Sequence, residues 1–264
     1  TAKINGAVGN YNSFMATYPD LDWIGYSKEL SSRFGFDCEL WTDQRGPHID
    51  MVRVLQAVQE IGNVMRDIAQ DMSLYAAFGT MYFSKVESHV GSSVMPHKIN
   101  PWFAEVAEGG IKKANWFISG FVSELDVSRL QRDLSDHEFE RSYGEAVGYV
   151  YVAMKHLHIA FDLIRPDLEF ARQELRDNPQ VVTEAIQTIL RKHGSINAYE
   201  LVKKESRGKH VTLEDLRSFV VRLDVDDVVK QEILTIMDPE KYIGLARRLA
   251  KEAIEEFNKL KNSQ

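Results

Sequence analysis

The sequence predicts an all-α protein: a bundle of long helices over residues 1–165, followed by a small all-helical domain over 166–264. Two observations carry this. Apolar residues recur at steps of three and four over long stretches, and strand-like alternation is almost absent. A third sets the boundary: after Arg165-Pro166 the segments shorten and are punctuated by Pro179, Gly194, Gly208 and Pro239.

Ile49, Val52, Leu55, Val58, Ile61, Met65, Ile68 and Met72 trace one stripe of a first long helix. Phe103, Val106, Gly110, Ala114, Phe117 and Phe121 trace a second, and Val147, Val150, Met154, Leu157, Phe161 and Ile164 a third. Gly109-Gly110 inside the second costs roughly 1 kcal/mol per glycine against alanine, which marks close helix packing or a bend. Beyond residue 166 five or six short helices are expected, with Thr212 and Asp238 as N-caps and Pro239 in the first helical position. Helices as long as the first three bury their stripes against other long helices, from this chain or from neighbouring copies, so an oligomeric bundle is expected.

Composition narrows the partners. With 44% hydrophobic residues among 264, the chain can bury a sizeable core. A net charge of −7 argues against nucleic acid or an acidic membrane surface as the main partner and leaves a small molecule or another protein chain. The single cysteine, Cys38, rules out an intramolecular disulfide and suits a reducing compartment, so a cytoplasmic location is the expectation. No apolar run is long enough to span a bilayer, and the opening TAKINGAVGN lacks the layout of a signal peptide. No histidines stand at HExxH spacing, and His156 and His158, two apart, point to different faces, so no metal site is expected.

Two stretches carry chemistry. In GSSVMPHKINP, residues 91–101, Asn100-Pro101 reads as an N-cap followed by proline, so a loop feeds a helix start there. Such an end offers unpaired N–H groups and the positive end of the helix dipole, and Lys98 adds a full charge beside it. That field favours ionisation of a nearby serine, Ser92 or Ser93, although a plain turn-rich surface loop has the same composition. In SRLQRDLSDHEFER, residues 128–141, Ser135 and Glu138 read as a capping box, with His137 and Arg141 one turn apart. Arg132 lies just upstream, and the two guanidiniums suit a phosphate as well as they suit ordinary pairing with Asp133, Asp136 or Glu140.

GSSVMPHKINP resembles the signature loop of the fumarase/aspartase superfamily, whose members eliminate fumarate across a C–N or C–O bond. Within it, KINGAVGNYN at 3–12, PHIDMVRVLQ at 47–56, VSRLQRDLSD at 127–136 and RGKHVT at 207–212 are similar to the adenylosuccinate lyase family of the bacterial long type. The resemblance runs from the first residue almost to the last, and it implies that the chain is the C-terminal portion of such an enzyme, with residues 1–165 the later part of a long central helical bundle that carries the signature loop.

It further implies a set of roles. Ser92 would be the general base; Gln44, Lys98, Asn100, Arg132, His137 and Arg141 would contact a nucleotide substrate, and Glu105 would orient Lys98. Taken alone, Asn100 reads equally as a cap, Glu105 as a charge suited to a helix start, and Gln44 as a surface loop residue. Gly6 and Gly9 resemble a loop packed near the site and also fit plain turn chemistry. The resemblance implies no cofactor and a homotetramer whose sites draw on three subunits. The family's proton-donating histidine has its place upstream of Thr1, so no acid is assigned. Two positions depart from the pattern: His137 stands where serine is usual, and Val106 where asparagine is. Other superfamily lyases, such as argininosuccinate lyase or aspartase, share the loop but do not require the arginine pair. An inactive chain that retained the fold as an oligomeric scaffold is the remaining alternative.

Overall fold

A computed structural model describes residues 1–45, 48–86 and 94–263. In the described residues the chain is all-α, with strands only two or three residues long. It divides into two compact units, Thr1–Pro166 and Asp167–Gln264.

The first unit opens with β1 (Ala2–Lys3), α1 (Asn12–Thr17), α2 (Trp23–Arg33) and β2 (Cys38–Glu39). Strands β1 and β2 pair in parallel, Ala2 with Cys38 and Lys3 with Glu39. Asn5, fully buried, locks this entry: its amide donates to the Thr42 hydroxyl at 2.9 Å and accepts from it at 3.0 Å. Three long helices follow: α3 (Ile49–Phe78), α4 (Trp102–Leu125) and, after the five-residue α5 (Asp136–Glu140), α6 (Tyr143–Leu163). Between them, β3 (Met81–Phe83) pairs antiparallel with β4 (Ile164–Pro166), tying the end of α3 to the end of α6.

The expected long helices form, but their buried faces are rotated from the expected stripes. On α4 the buried positions are Ala104, Ala107, Ile111, Ala114, Ile118, Phe121 and Leu125; Phe103, Val106 and Phe117 sit on the flank. On α6 they are Ala146, Val150, Ala153, Leu157 and Ala160, while Val147, Met154 and Phe161 are exposed. On α3 Val52, Leu55 and Met72 are buried as expected, but Ile49 and Ile61 are exposed. Alanine and glycine form the seams because closely approaching helices leave no room for larger side chains. At Gly110 an added Cβ would meet the Ala153 Cβ and the Tyr149 carbonyl at 3.4 Å, whereas Gly109 faces open space. Only the second of the two glycines therefore marks close packing.

Two predicted caps differ. Pro101, not Asn100, holds the N-cap position of α4, and no side chain caps it. At α5 the Ser135 backbone is already helical, and its hydroxyl donates to Asp133 Oδ1 at 2.8 Å, so no capping box forms. The other two hold. Thr212 makes a full capping box with Asp215, and Asp238 accepts from the Glu240 N–H with Pro239 in the first helical position.

The second unit contains α7 (Leu168–Asp177), α8 (Thr183–Lys192), α9 (Ala198–Ser206), α10 (Leu213–Arg222), α11 (Asp227–Thr235) and α12 (Ala246–Asn262). Its core gathers Val182, Ile186, Leu190, Leu216, Val220 and Ile233, each at most 1% exposed. Its last helix, at 17 residues, is longer than the short helices expected.

Candidate active site

The predicted site residues fall at opposite ends of α4. Its 24 residues, rising about 1.5 Å each, separate those ends by about 36 Å. Lys98 and Asn100 precede the helix, and Glu105 lies in its first turn. Lys98 and Glu105 are exposed, and no ion pair joins them among the described residues. The expected base, Ser92, lies outside the described residues, as does Ser93.

The other end carries a cleft of about 480 Å³. It is bounded by the Leu40–Arg45 strand of chain, by His48, and by the stretch from Leu125 through Arg132 to Asp136. Its two walls are joined where the Gln44 N–H donates to the Gln131 carbonyl at 3.0 Å. Leu130, one residue earlier, adopts a left-handed backbone with φ 52°, which is uncommon outside glycine and turns the chain sharply at this point. Gly9 also lines the cleft. With φ 78°, it would place an added Cβ 1.9 Å from the Thr42 carbonyl oxygen, so only glycine fits; close approach adds to turn chemistry there.

Asp136 is the centre of the charge arrangement, although it is only 9% exposed. Its Oδ2 accepts from Arg132 Nη1 at 2.9 Å, His48 Nε2 at 2.9 Å and Arg45 Nη1 at 3.2 Å. Burial opposes its charged form, but the His48 and Arg132 hydrogen bonds and the nearby guanidinium charges outweigh burial and hold its carboxyl at about 2. Its Oδ1, also buried, has no hydrogen-bond partner among the described residues. Arg132 Nη2 in turn lies 2.7 Å from His137 Nε2. Arg141, by contrast, is 68% exposed and pairs with Glu138 one turn away.

Sequence reasoning anticipated Arg132, His137 and a pairing of Arg132 with Asp136, but missed Arg45 and His48 as further partners of that carboxylate. Local spacing cannot bring 48 to 136; only the antiparallel packing of α3 and α4 does. His48, Asp136 and Glu140 also bring metal-type donor atoms within 4.8 Å of one another, a cluster that histidine spacing did not reveal. Its carboxylates are already engaged, because Arg45 Nη1 lies 3.2 Å from both Asp136 Oδ2 and Glu140 Oε1. A divalent cation would have to displace a guanidinium, so the arrangement favours an anion near the cations over a metal among the acids. No helix among the described residues is long and apolar enough to cross a membrane.

Two family models match the chain: "Lyase" over residues 1–114 and "Adenylosuccinate lyase C-terminal" over 128–243. Adenylosuccinate lyase of Legionella pneumophila is 36% identical over 250 residues, covering 95% of this chain and 55% of the relative. The adenylosuccinate lyase of Escherichia coli K12 is 34% identical over 244 residues, 92% of this chain and 53% of that one. Among solved structures, the 3-carboxy-cis,cis-muconate lactonizing enzyme of Pseudomonas putida superposes with a TM-score of 0.67 at 18% identity, covering 97% of this chain and 57% of that one. That likeness is one of fold. The two matches, which between them take in most of the chain, place it in the fumarase/aspartase superfamily of lyases. Within it, the chain belongs to the adenylosuccinate lyase family. It spans about half the length of the curated relatives it matches.

Proposed function

We propose that the protein this chain belongs to releases fumarate from adenylosuccinate to give AMP, and from the succinylated aminoimidazole carboxamide ribotide in purine synthesis. The observation that carries the reading is the joint presence of the GSSVMPHKINP motif and a cleft whose Arg45, His48 and Arg132 are gathered on one carboxylate. Other lyases of the superfamily share the first feature, but a phosphate-free substrate has no need of the second.

In this mechanism Ser92 takes the proton from the succinyl carbon beside a carboxylate. The electron pair left behind delocalises into that carboxylate, and Lys98 with the loop N–H groups stabilises the dianion where it forms. The C–N bond then breaks as the C=C bond of fumarate forms, and the departing nitrogen takes a proton from an acid for which this chain offers no motif match. Arg132, with His137 and Arg141, holds the phosphate; Gln44 and Asn100 hold the remainder of the substrate, and Glu105 orients Lys98. Residues 1–165 act as the lyase bundle and 166–264 as a small helical domain, with no cofactor required.

Lys98 and Arg132 stand beyond opposite ends of a helix about 36 Å long, too far apart to serve the same substrate molecule within one copy. Each site is therefore assembled from several copies, consistent with a homotetramer in the cytoplasm. The test is fumarate release from adenylosuccinate by the whole protein and by Ser92→Ala. Loss of several orders of magnitude in the variant supports the reading, and no release by the unsubstituted protein overturns it.

A further inference from the structure

We propose that Asp136 and His48 are positioning residues, which together fix the Arg132 guanidinium so that its remaining donors meet the phosphate monoester of the substrate. The inference rests on the reading of Arg132 as a phosphate ligand. It assigns work to two residues that touch no part of the substrate themselves.

A guanidinium has five N–H donors in one plane, so fixing one edge fixes the direction of the rest. Arg132 Nη1 donates to Asp136 Oδ2 at 2.9 Å and to the Asp133 carbonyl, and Nη2 lies 2.7 Å from His137 Nε2. Nε–H and the second Nη2–H remain for a ligand in the cleft that Arg132 lines.

Asp136 alone would not hold this geometry. Arg45 Nη1 competes for the same oxygen at 3.2 Å, and a carboxylate can turn about its Cβ–Cγ bond. His48 restricts that turn. It occupies the N-cap of α3, and its Nε2–H donates to Oδ2 at 2.9 Å from a ring only 19% exposed. The pair thus couples the start of α3 to the start of α5, and Arg132 is held between them. Arg45 and Arg132 would repel each other without the carboxylate they share. Two guanidiniums on one mostly buried carboxylate are consequently kept close to a single incoming anion.

The experiment uses the full-length protein and three variants, Asp136→Asn, His48→Leu and His48→Gln. KM and kcat for adenylosuccinate are measured together with product inhibition by AMP and by fumarate. Asp136→Asn is expected to raise KM and the AMP inhibition constant at least ten-fold, with kcat falling far less and fumarate inhibition shifting by under two-fold. His48→Leu should move the same two constants in the same direction, and His48→Gln, which keeps an N–H donor, should recover most of the loss. If Asp136→Asn does not fold, the two His48 variants decide alone. Variants that melt with the wild type and bind AMP as tightly overturn the inference, as do variants that weaken AMP and fumarate equally. Wild-type protein that turns over adenylosuccinate while the variants are unchanged sinks the inference alone; wild-type protein inert toward adenylosuccinate sinks the substrate reading and this inference with it.

Discussion

Asp136 would titrate above the usual carboxylate range if burial acted alone; its partners reverse that and bring it to about 2. A carboxyl depressed in the folded state stabilises the fold above its unfolded pKa of 3.8, and that contribution disappears as pH falls through the folded value. Urea unfolding of the wild type and Asp136→Asn should therefore differ most at neutral pH, and the gap should narrow between about pH 4 and pH 2. A gap independent of pH would mean that the charge contributes nothing. Gly9 makes a second test at this scale. Gly9→Ala puts a Cβ 1.9 Å from the Thr42 carbonyl, which the backbone can relieve only by moving the Leu40–Arg45 wall of the cleft. The substitution should cost more than about 1 kcal/mol in denaturant unfolding and weaken AMP binding with it. Neither clash nor ion cluster is written in local sequence. Gly9 reads there as a turn, and Asp136 as one acid among several beside Arg132.

At the scale of elements, the helices were legible and their faces were not. Periodicity located α3, α4 and α6 because bulky apolar residues at helical spacing occur along each. Apart from Gly110 and Ala114, the expected stripes consist of large side chains, whereas the seams also bury alanines at 104, 107, 146, 153 and 160. Close packing rewards small residues at the line of nearest approach, and the larger ones are turned to the flanks or outward. Ile111→Ala, at a fully buried position of α4, is expected to cost about 2–5 kcal/mol, since the rigid seam cannot collapse into the space. Ala153→Leu should cost about 1–3 kcal/mol by overpacking against Gly110. In the second unit, Thr212→Ala removes a complete capping box and should cost about 1 kcal/mol. Thermal and urea melts of the three variants check all of these.

For the whole molecule, the two ends of α4 govern the expectation. In sequence Ser92 belongs to the motif before its start and Arg132 follows its end, and the proposed function expects a working site to draw the two from different copies. Mixing Ser92→Ala with Arg132→Gln, each inactive alone, should restore activity to about a quarter of wild type, the share of sites in random hybrids that receive both native residues. No recovery after subunit exchange would place both residues in one copy's site. The exposed apolar side chains of the long helices, among them Ile61, Val64, Trp116, Tyr151 and Phe161, suit burial against such copies. Val64→Glu together with Phe161→Glu should lower the mass in sedimentation analysis and abolish activity.

By itself the sequence determined the helical class, the existence of the three long helices, the signature motif and the family it resembles. Each is recorded locally, in spacing, in caps such as Thr212 and Asp238, or in eleven contiguous residues. Tertiary structure alone decided which helix faces are buried. It also decided that Arg45, His48 and Arg132 meet on Asp136, and that Lys98 and this cluster stand at opposite ends of α4. The physical reason is the same in each case. Burial and ion pairing depend on the distances between segments far apart in the chain, and those distances are set by how closely α3, α4 and α6 pack.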